Sequence, residues 1–257
     1  MNLTCLMIAT NLESQLSIFE RSIASVNKFI FKRKILTIDV FNNGFDLSYF
    51  DKYPDWDIIS GKTTGLINNM LRGLDQIDSG LIFYCEDHNL VTAIPKDIGT
   101  LSWVCYNTHI VPNCKKARAK LPKKKYEYGL AYINDKHNYI KYGQDIFLIK
   151  NASLKDEYYL NTPVIITDVK ILKALLTYGI KHYKNIPQET GLTNAWFDLG
   201  YDKQYNVGIY VKDIKFPLSF DMLNQCANIR CRYNDTTMEH VGVVDYSKKP
   251  KGKNCFF

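Results

Sequence analysis

The stretch Leu81-Ile82-Phe83-Tyr84-Cys85-Glu86-Asp87-His88 decides the reading of this chain. Five apolar or aromatic residues of high β-propensity stop abruptly at two acids and an imidazole. That pattern describes a buried strand delivering polar side chains to one end of a sheet. Toward the N-terminus, Ile35–Val40 reads as an earlier strand with Asp39 near its carboxyl end, and Asn2–Ala9 as a first strand followed by Thr10 and Asn11 as turn or cap residues. Between them Leu16, Phe19, Ile23 and Val26 recur at helical spacing. Asn42, Asn43 and Gly44 break the chain after the second strand. Gly61 opens a polar turn beyond Trp56–Ile59, and Leu66, Met70, Leu71 and Leu74 suggest a second helix. Strands alternating with helices argue for an α/β fold, a sheet with helices on its faces. In open sheets of this kind ligands bind beyond the carboxyl ends of the strands. Thr10, Asp39, Gly61 and Glu86 all fall there.

Toward the C-terminus the pattern is less regular. Lys115–Lys125 interrupts it as a long basic loop; Tyr126–Ile133, Asp145–Ile149, Val164–Thr167 and Tyr205–Val211 read as strands. Asp168 caps a helix through Leu172, Leu175 and Leu176, and Thr193–Leu199 reads as helical. No internal repeat or low-complexity linker marks a domain boundary.

Composition removes several classes. With 46% hydrophobic and 23% charged residues, a disordered or fibrous chain is excluded. The longest apolar runs fall far short of the roughly 20 residues that cross a bilayer, and the N-terminal residues do not read as a signal peptide. Seven cysteines, an odd number without a Cys-x-x-Cys pair, read as reduced thiols in a cytoplasmic protein. The formal charge of +7 favours acidic partners: nucleotide, nucleic acid or an anionic lipid surface. Much of the surplus is local, with Lys115, Lys116, Arg118, Lys120, Lys123, Lys124 and Lys125 in one short segment. A solvated basic loop is the plainer reading of that run.

Gly61-Lys62-Thr63 invites comparison with a phosphate-binding loop, but the glycine that motif needs five residues earlier is Trp56, and no G-x-G-x-x-G follows the first strand. Glu86-Asp87-His88 is more informative. Hard and borderline ligands just past a buried strand can hold Mg²⁺ or Mn²⁺ against a diphosphate, although an acidic turn capping the next element has the same sequence.

Taken in order, these features resemble the GT-A-type glycosyltransferases: a strand ending at Thr10, a strand ending at Asp39, the Gly61-Lys62-Thr63 turn opening a helix, and a hydrophobic strand running into an acidic triplet. In that family the triplet is the "DxD" motif, which binds the metal and the nucleotide-sugar diphosphate. Here its third position is His88, and imidazole favours transition metals such as Mn²⁺ over Mg²⁺. Ile186–Tyr201 (IPQETGLTNAWFDLGY) is similar to the family's "ED" segment, whose acid is the general base in inverting members. Glu189 takes that place, followed by Thr190 instead of a second acid. Read from the residues alone, Asp198 would serve as well. Met238–Ser247 resembles the "His-x-Gly" segment, which would make His240 a metal or diphosphate ligand. The resemblance spans roughly residues 1–247.

The resemblance implies one GT-A-like domain over 1–257, with a Rossmann-type nucleotide-sugar-binding half (1–105) and a mixed central sheet merged with a smaller acceptor-side half (106–257). It implies an inverting, metal-dependent transfer from a nucleoside-diphosphate sugar, expected to be a UDP-sugar. Thr10 and Asn11 would line the nucleoside pocket, Asp39 would accept hydrogen bonds from base or ribose, and Gly61 and Lys62 would meet the diphosphate. Glu86, Asp87, His88 and His240 would hold Mn²⁺ or Mg²⁺.

The acceptor stays open. Lys115, Lys116, Arg118, Lys123 and Lys124 would attract a polyanion, and Trp196 is either a stacking surface for the acceptor or core. Transfer to a hydroxymethylated base in DNA, as some phage enzymes perform in the host cytoplasm, fits the charge. A cell-surface glycan or lipid-linked acceptor reached by peripheral membrane contact fits it nearly as well. Two other classes share these features: a non-catalytic nucleic-acid-binding protein, and a nucleotidyltransferase using the same strand-end acids.

Overall fold

A computed structural model describes residues 1–106, 108–111, 138–143, 145–150, 160, 164–183, 188–210 and 228–231. Strand β1 (Thr4–Thr10) is buried on both faces from Cys5 to Ala9, which is the pattern of a central strand in a parallel sheet. It pairs in parallel with β2 (Arg33–Val40) on one side and β4 (Leu81–Glu86) on the other, and β3 (Asp57–Lys62) lies in parallel beyond β2. The order β3-β2-β1-β4 is that of one half of a doubly wound sheet. The chain steps outward from β1 to β3, then returns across β1 to make β4, so the winding reverses between β1 and β4.

Side-chain alternation along β1 builds two cores. Cys5, Met7 and Ala9 face helix α1 (Leu16–Val26) through Phe19, Ile23 and Val26. Leu6 and Ile8 face helix α2 (Leu66–Leu74) through Ile67, Met70 and Leu74. The β2–β3 connection carries a 3-10 turn at Leu47–Lys52 instead of an α-helix. Asp46 caps it by accepting from the Ser48 N–H at 2.9 Å, and Phe50 sits edge-on to Phe19 with Phe45 tilted against Phe50.

Strand β5 (Asn89–Val91) leaves the large sheet at once; β6 (Trp103–Tyr106) and β7 (Thr108–Val111) come next, then the antiparallel pair β8 (Asn138–Lys141) and β9 (Ile146–Lys150). Strand β10 (Val164–Asp168) inserts antiparallel between β4 and β6, and β11 (Val207–Tyr210) lies parallel to β6. The result is an α/β fold on a mixed nine-stranded sheet, with a small sheet of β5, β7 and β12 (Asn228–Cys231) beside it. Helix α3 (Val169–His182) starts where Asp168 Oδ1 accepts from the Lys170 N–H at 2.8 Å, the cap expected from the sequence. Helix α4 (Gln188–Asp198) packs on α3 and begins five residues before the expected Thr193.

Six strands escape the sequence reading, β3, β5, β6, β7, β8 and β12, and all but β3 are only three or four residues long. Strand β3 is an edge strand with no fully buried residue, so its hydrophobic signal is weak; Gly61 is its fifth residue and not the opening of a turn. The turn comes later, at Thr63-Thr64-Gly65, where Gly65 has a φ of 98° that favours glycine. Strand β6 is four residues long and wholly buried. The expected strand at Tyr126–Ile133 lies outside the described residues.

Candidate functional site

The carboxyl ends of β1, β2, β3 and β4 meet in one row. Thr10 pairs with Asp39, and Asp39 with Gly61, while Glu86 pairs with Ile8, one side-chain repeat below Thr10 on the same face. The reversal of winding therefore opens between Thr10 and Glu86, at the position where doubly wound sheets take their ligands.

On the β4 side the chain folds back tightly. The Asp87 N–H donates to the Ile8 carbonyl at 3.0 Å, and the Asn89 amide donates to the Glu86 carbonyl at 3.2 Å. Two buried serines of α1 anchor β5 just beyond: Ser22 Oγ donates to the Asn89 carbonyl at 2.6 Å, and Ser25 Oγ accepts from the Val91 N–H at 3.0 Å. Glu86 and Asp87 are thereby held as buried carboxylates, at 4% and 7% exposure. His88 spans them: its Nε2 lies 3.1 Å from Glu86 Oε2 and its Nδ1 3.2 Å from Asp87 Oδ1. The second oxygen of Asp87 is buried and has no hydrogen-bond partner among the described residues. A buried carboxylate oxygen left open is costly unless something binds it. A cation between Asp87 and Glu86 would fit that donor set, because Mg²⁺ and Mn²⁺ take one or two carboxylates together with phosphate oxygens and water. Among the described residues no three His, Cys, Asp or Glu side chains converge as a complete ligand set.

Asp39, at the end of β2, lies under the first turn of α2. Burial pushes its carboxyl up to about 6, against the opposing pull of the Arg72 guanidinium and of the Gly65 and Thr64 N–H groups. Arg72 reaches back from α2 to tie the strand ends together. Its Nη1 donates to the Ile38 carbonyl at 3.2 Å and to Asn69 Oδ1 at 3.0 Å; its Nη2 donates to the Lys62 carbonyl at 3.2 Å and stands 3.5 Å from Asp39 Oδ1. Asn69 in turn donates from Nδ2 to the Ala9 carbonyl at 3.3 Å and approaches the Thr37 carbonyl at 3.4 Å. Thr63 Oγ1, in the same turn, is buried with no partner among the described residues. Lys62 is exposed and makes no ion pair with a described residue.

Several expected roles change. Asn11 is expected in a nucleoside pocket, but its amide is used within the chain. Oδ1 accepts from the Phe41 N–H at 2.7 Å, and Nδ2 donates to the carbonyls of Phe45 at 3.1 Å and Phe41 at 3.3 Å. Gly44 passes so close that a Cβ there would stand 2.2 Å from Asn11 Cγ. Asn11 therefore ties down the 41–45 loop with both ends of its amide. Thr10 donates to Gln15 Oε1 at 2.6 Å and keeps acceptor capacity at the rim. Trp196 is fully buried with its ring edge-on to Trp103, so it is core and has no face for an acceptor.

Asp198 closes α4 and accepts from the hydroxyls of Tyr183 and Tyr178 on the α3 side. It is ten residues, about 15 Å along the helix, from Gln188. Gln188 itself contacts Met70 of α2. Glu189 is the second residue of α4, and its side chain lies outside the described residues. Also outside them are His240 and Lys115, Lys116, Arg118, Lys123 and Lys124. Sequence reading misses Arg72, Asn69, Ser22 and Ser25; the only signal for the first two is their i, i+3 spacing in a helix that starts at the site.

No protein-family model matches this chain, and no curated protein does. Solved structures give distant likenesses. One is a UDP-glucose pyrophosphorylase complexed with UDP-glucose, at 10% identity over 82% of this chain and 90% of that one, with a TM-score of 0.40. A second is the inositol-1-phosphate CTP transferase from T. maritima, at 11% identity over 80% and 84%, TM-score 0.44. A third is the nucleoside-diphosphate-sugar pyrophosphorylase from Vibrio cholerae RC9, at 9% identity over 80% and 91%, TM-score 0.46. At that distance the likenesses carry no argument about what this chain binds or does.

Proposed function

We propose that the chain is a nucleotide-sugar-utilising transferase whose donor lies across the carboxyl ends of β1 to β4. The observation that carries this reading is the buried carboxylate pair Glu86 and Asp87, with one Asp87 oxygen open, at the point where the sheet reverses its winding. A divalent cation bound there would neutralise charge on a departing diphosphate. Glu86 and Asp87 hold that cation. Asp39, fixed by Arg72 and the turn at Thr64 and Gly65, accepts a hydrogen bond from base or ribose. Lys62, exposed and unpaired among the described residues, meets the diphosphate.

In the glycosyl-transfer form, Glu189 removes the proton from the acceptor hydroxyl as it attacks the anomeric carbon, and the nucleoside diphosphate leaves from the opposite face. The acceptor side of this proposal, a hydroxymethylated base in DNA or a lipid-linked glycan, rests on the charge of Lys115–Lys125 alone.

Nucleotidyl transfer stands beside it on one observation. Asp198 is engaged by two tyrosine hydroxyls, which makes Glu189 the proposed base of glycosyl transfer with Asp198 as its alternative. A sugar phosphate attacking a nucleoside triphosphate is already anionic and needs no base. Product analysis separates the two. Incubation with UDP-sugar and Mn²⁺ releases UDP in the first case; incubation with UTP and a sugar 1-phosphate releases pyrophosphate in the second. Release of neither, across the nucleotides, contradicts the transferase reading and favours a non-catalytic binding protein.

A further inference from the structure

Helix α1 returns to β2 through Lys28-Phe29-Ile30-Phe31-Lys32, at the end of the sheet opposite the strand termini that carry Asp39 and Glu86. Phe29 and Phe31 fold back onto the core, and the Phe31 ring lies 5.4 Å from that of Phe83. The backbone is tied on both sides. The Phe29 N–H donates to the Val26 carbonyl at 3.0 Å, and the Lys32 N–H to the Leu3 carbonyl at 2.9 Å. Ile30 is thus held outward between two anchored aromatics at 97% exposure, while the next most exposed large apolar side chain among the described residues, Ile140, stands at 51%. Lys28 and Lys32 flank it, exposed and without an ion pair to a described residue. Arg33 and Lys34, next in the run, are already paired with Asp57 at 2.6 Å and Asp55 at 3.8 Å. The free positive charge of this loop therefore belongs to the two lysines beside the tip.

A single exposed apolar side chain is ordinary on a protein surface. One braced outward by buried neighbours, with a free cation on either side, has the chemistry of an interfacial contact. A protein partner would have to bring a pocket for so convex a tip. A bilayer accepts it anywhere, and anionic headgroups take the lysines. We infer that residues 28–32 form a membrane-contact tip, in which Ile30 enters the interfacial layer of an anionic bilayer and Lys28 and Lys32 meet its headgroups. One apolar residue and two cations make the contact weak and reversible. Asp39 stands six residues along β2 from Arg33, about 20 Å at the rise of a strand. A bilayer on the tip therefore leaves the carboxyl ends facing away from the lipid, open to soluble reactants.

Cosedimentation of the full chain with vesicles of phosphatidylcholine, alone or with about 30% phosphatidylserine, tests the contact. Binding is expected to the anionic vesicles only, and should weaken as salt rises. Ile30→Ser should weaken it about tenfold, and Lys28→Gln and Lys32→Gln about fivefold each. Because Ile30 is exposed and far from the strand ends, Ile30→Ser should leave the melting temperature and UDP affinity unchanged. In Ile30→Trp the added indole should be quenched by brominated lipid, against a background of three buried tryptophans, Trp56, Trp103 and Trp196. Absence of binding, or an unquenched indole in vesicle-bound protein, overturns the inference. Binding that Ile30→Ser leaves intact overturns it too and assigns the lipid contact to Lys115–Lys125. Self-association of the wild type that is lost in Ile30→Ser would give the tip to a second copy of the chain instead.

Discussion

Arg72 lies across Gly61. A Cβ on Gly61 would stand 2.5 Å from the guanidinium carbon, so a side chain at this edge-strand position would push the guanidinium aside. The pair explains how a helix side chain can hold the strand ends together, and each partner gives its own prediction.

Arg72→Ala removes donors to the Ile38 and Lys62 carbonyls and the ion pair to Asp39. Hydrogen bonds from a charged group contribute about 1.5–3 kcal/mol, so a loss of about 2 kcal/mol is expected in urea denaturation. Gly61→Ala should cost about 1 kcal/mol by displacing the guanidinium. In the Arg72→Ala background the same substitution should cost almost nothing, since residues sharing a contact are not additive. Additive losses would show that the two positions act separately.

Asp39 predicts a pH dependence. Its folded carboxyl titrates at about 6, raised from an ordinary 3.8 by burial. The folded state therefore holds the proton more tightly than the unfolded chain. The stabilisation is fully present below about pH 4 and is lost as pH rises through 6. Asp39→Asn has no such loss, so its stability should rise relative to wild type across this window and then level. Parallel stability curves from pH 4 to 7 would contradict the assignment. The same substitution should weaken nucleotide binding if Asp39 meets the base or ribose.

Asn11 is expected to act on folding and not on contact with a ligand. Asn11→Ala removes the acceptor used by the Phe41 N–H at 2.7 Å and the amide donor to the Phe45 and Phe41 carbonyls in the partly exposed 41–45 loop. A typical intramolecular hydrogen bond contributes about 0.5–1.5 kcal/mol, so a net loss of about 1–3 kcal/mol is expected. Chemical denaturation should show that loss, while UDP affinity under folded conditions should stay within about twofold. A large affinity loss in a fully folded Asn11→Ala protein would return Asn11 to the pocket.

The two acids of α4 should separate cleanly. Glu189→Gln is expected to lower glycosyl transfer by about 10²- to 10⁴-fold, the usual contribution of a general base. Asp198→Asn, which alters only the hydrogen bonds from Tyr183 and Tyr178, should leave turnover nearly unchanged. The reverse pattern in single-turnover assays would move the base to Asp198.

These residues also show how much of the fold and of the site is legible in the sequence. The run from Leu81 to Cys85 is almost wholly buried, so its hydrophobicity is continuous and its end at Glu86 is unmistakable. The same holds for β1 and β2, and the strand-end placement of Thr10, Asp39 and Glu86 comes directly from them. Strand β3 is hidden because an edge strand buries little. Ser22 and Ser25 look like a polar helix face, yet they turn inward to anchor β5. Arg72 and Asn69 look like ordinary helix polars, because a side chain that bonds to backbone carbonyls across a sheet leaves no pattern in its own element. Trp196 is ambiguous for a related reason: an aromatic on a helix serves core or ligand with the same spacing, and only its contact with Trp103 decides.

The transferase reading stands or falls with a divalent cation held by Glu86 and Asp87 against a nucleoside diphosphate. Isothermal calorimetry of UDP with the full chain, with and without Mg²⁺ or Mn²⁺, measures that directly. Binding should strengthen at least tenfold with either metal, and the gain should vanish in Asp87→Asn while the protein stays folded. UDP affinity indifferent to metal, or a metal-dependent gain that survives Asp87→Asn, would refute the cation site.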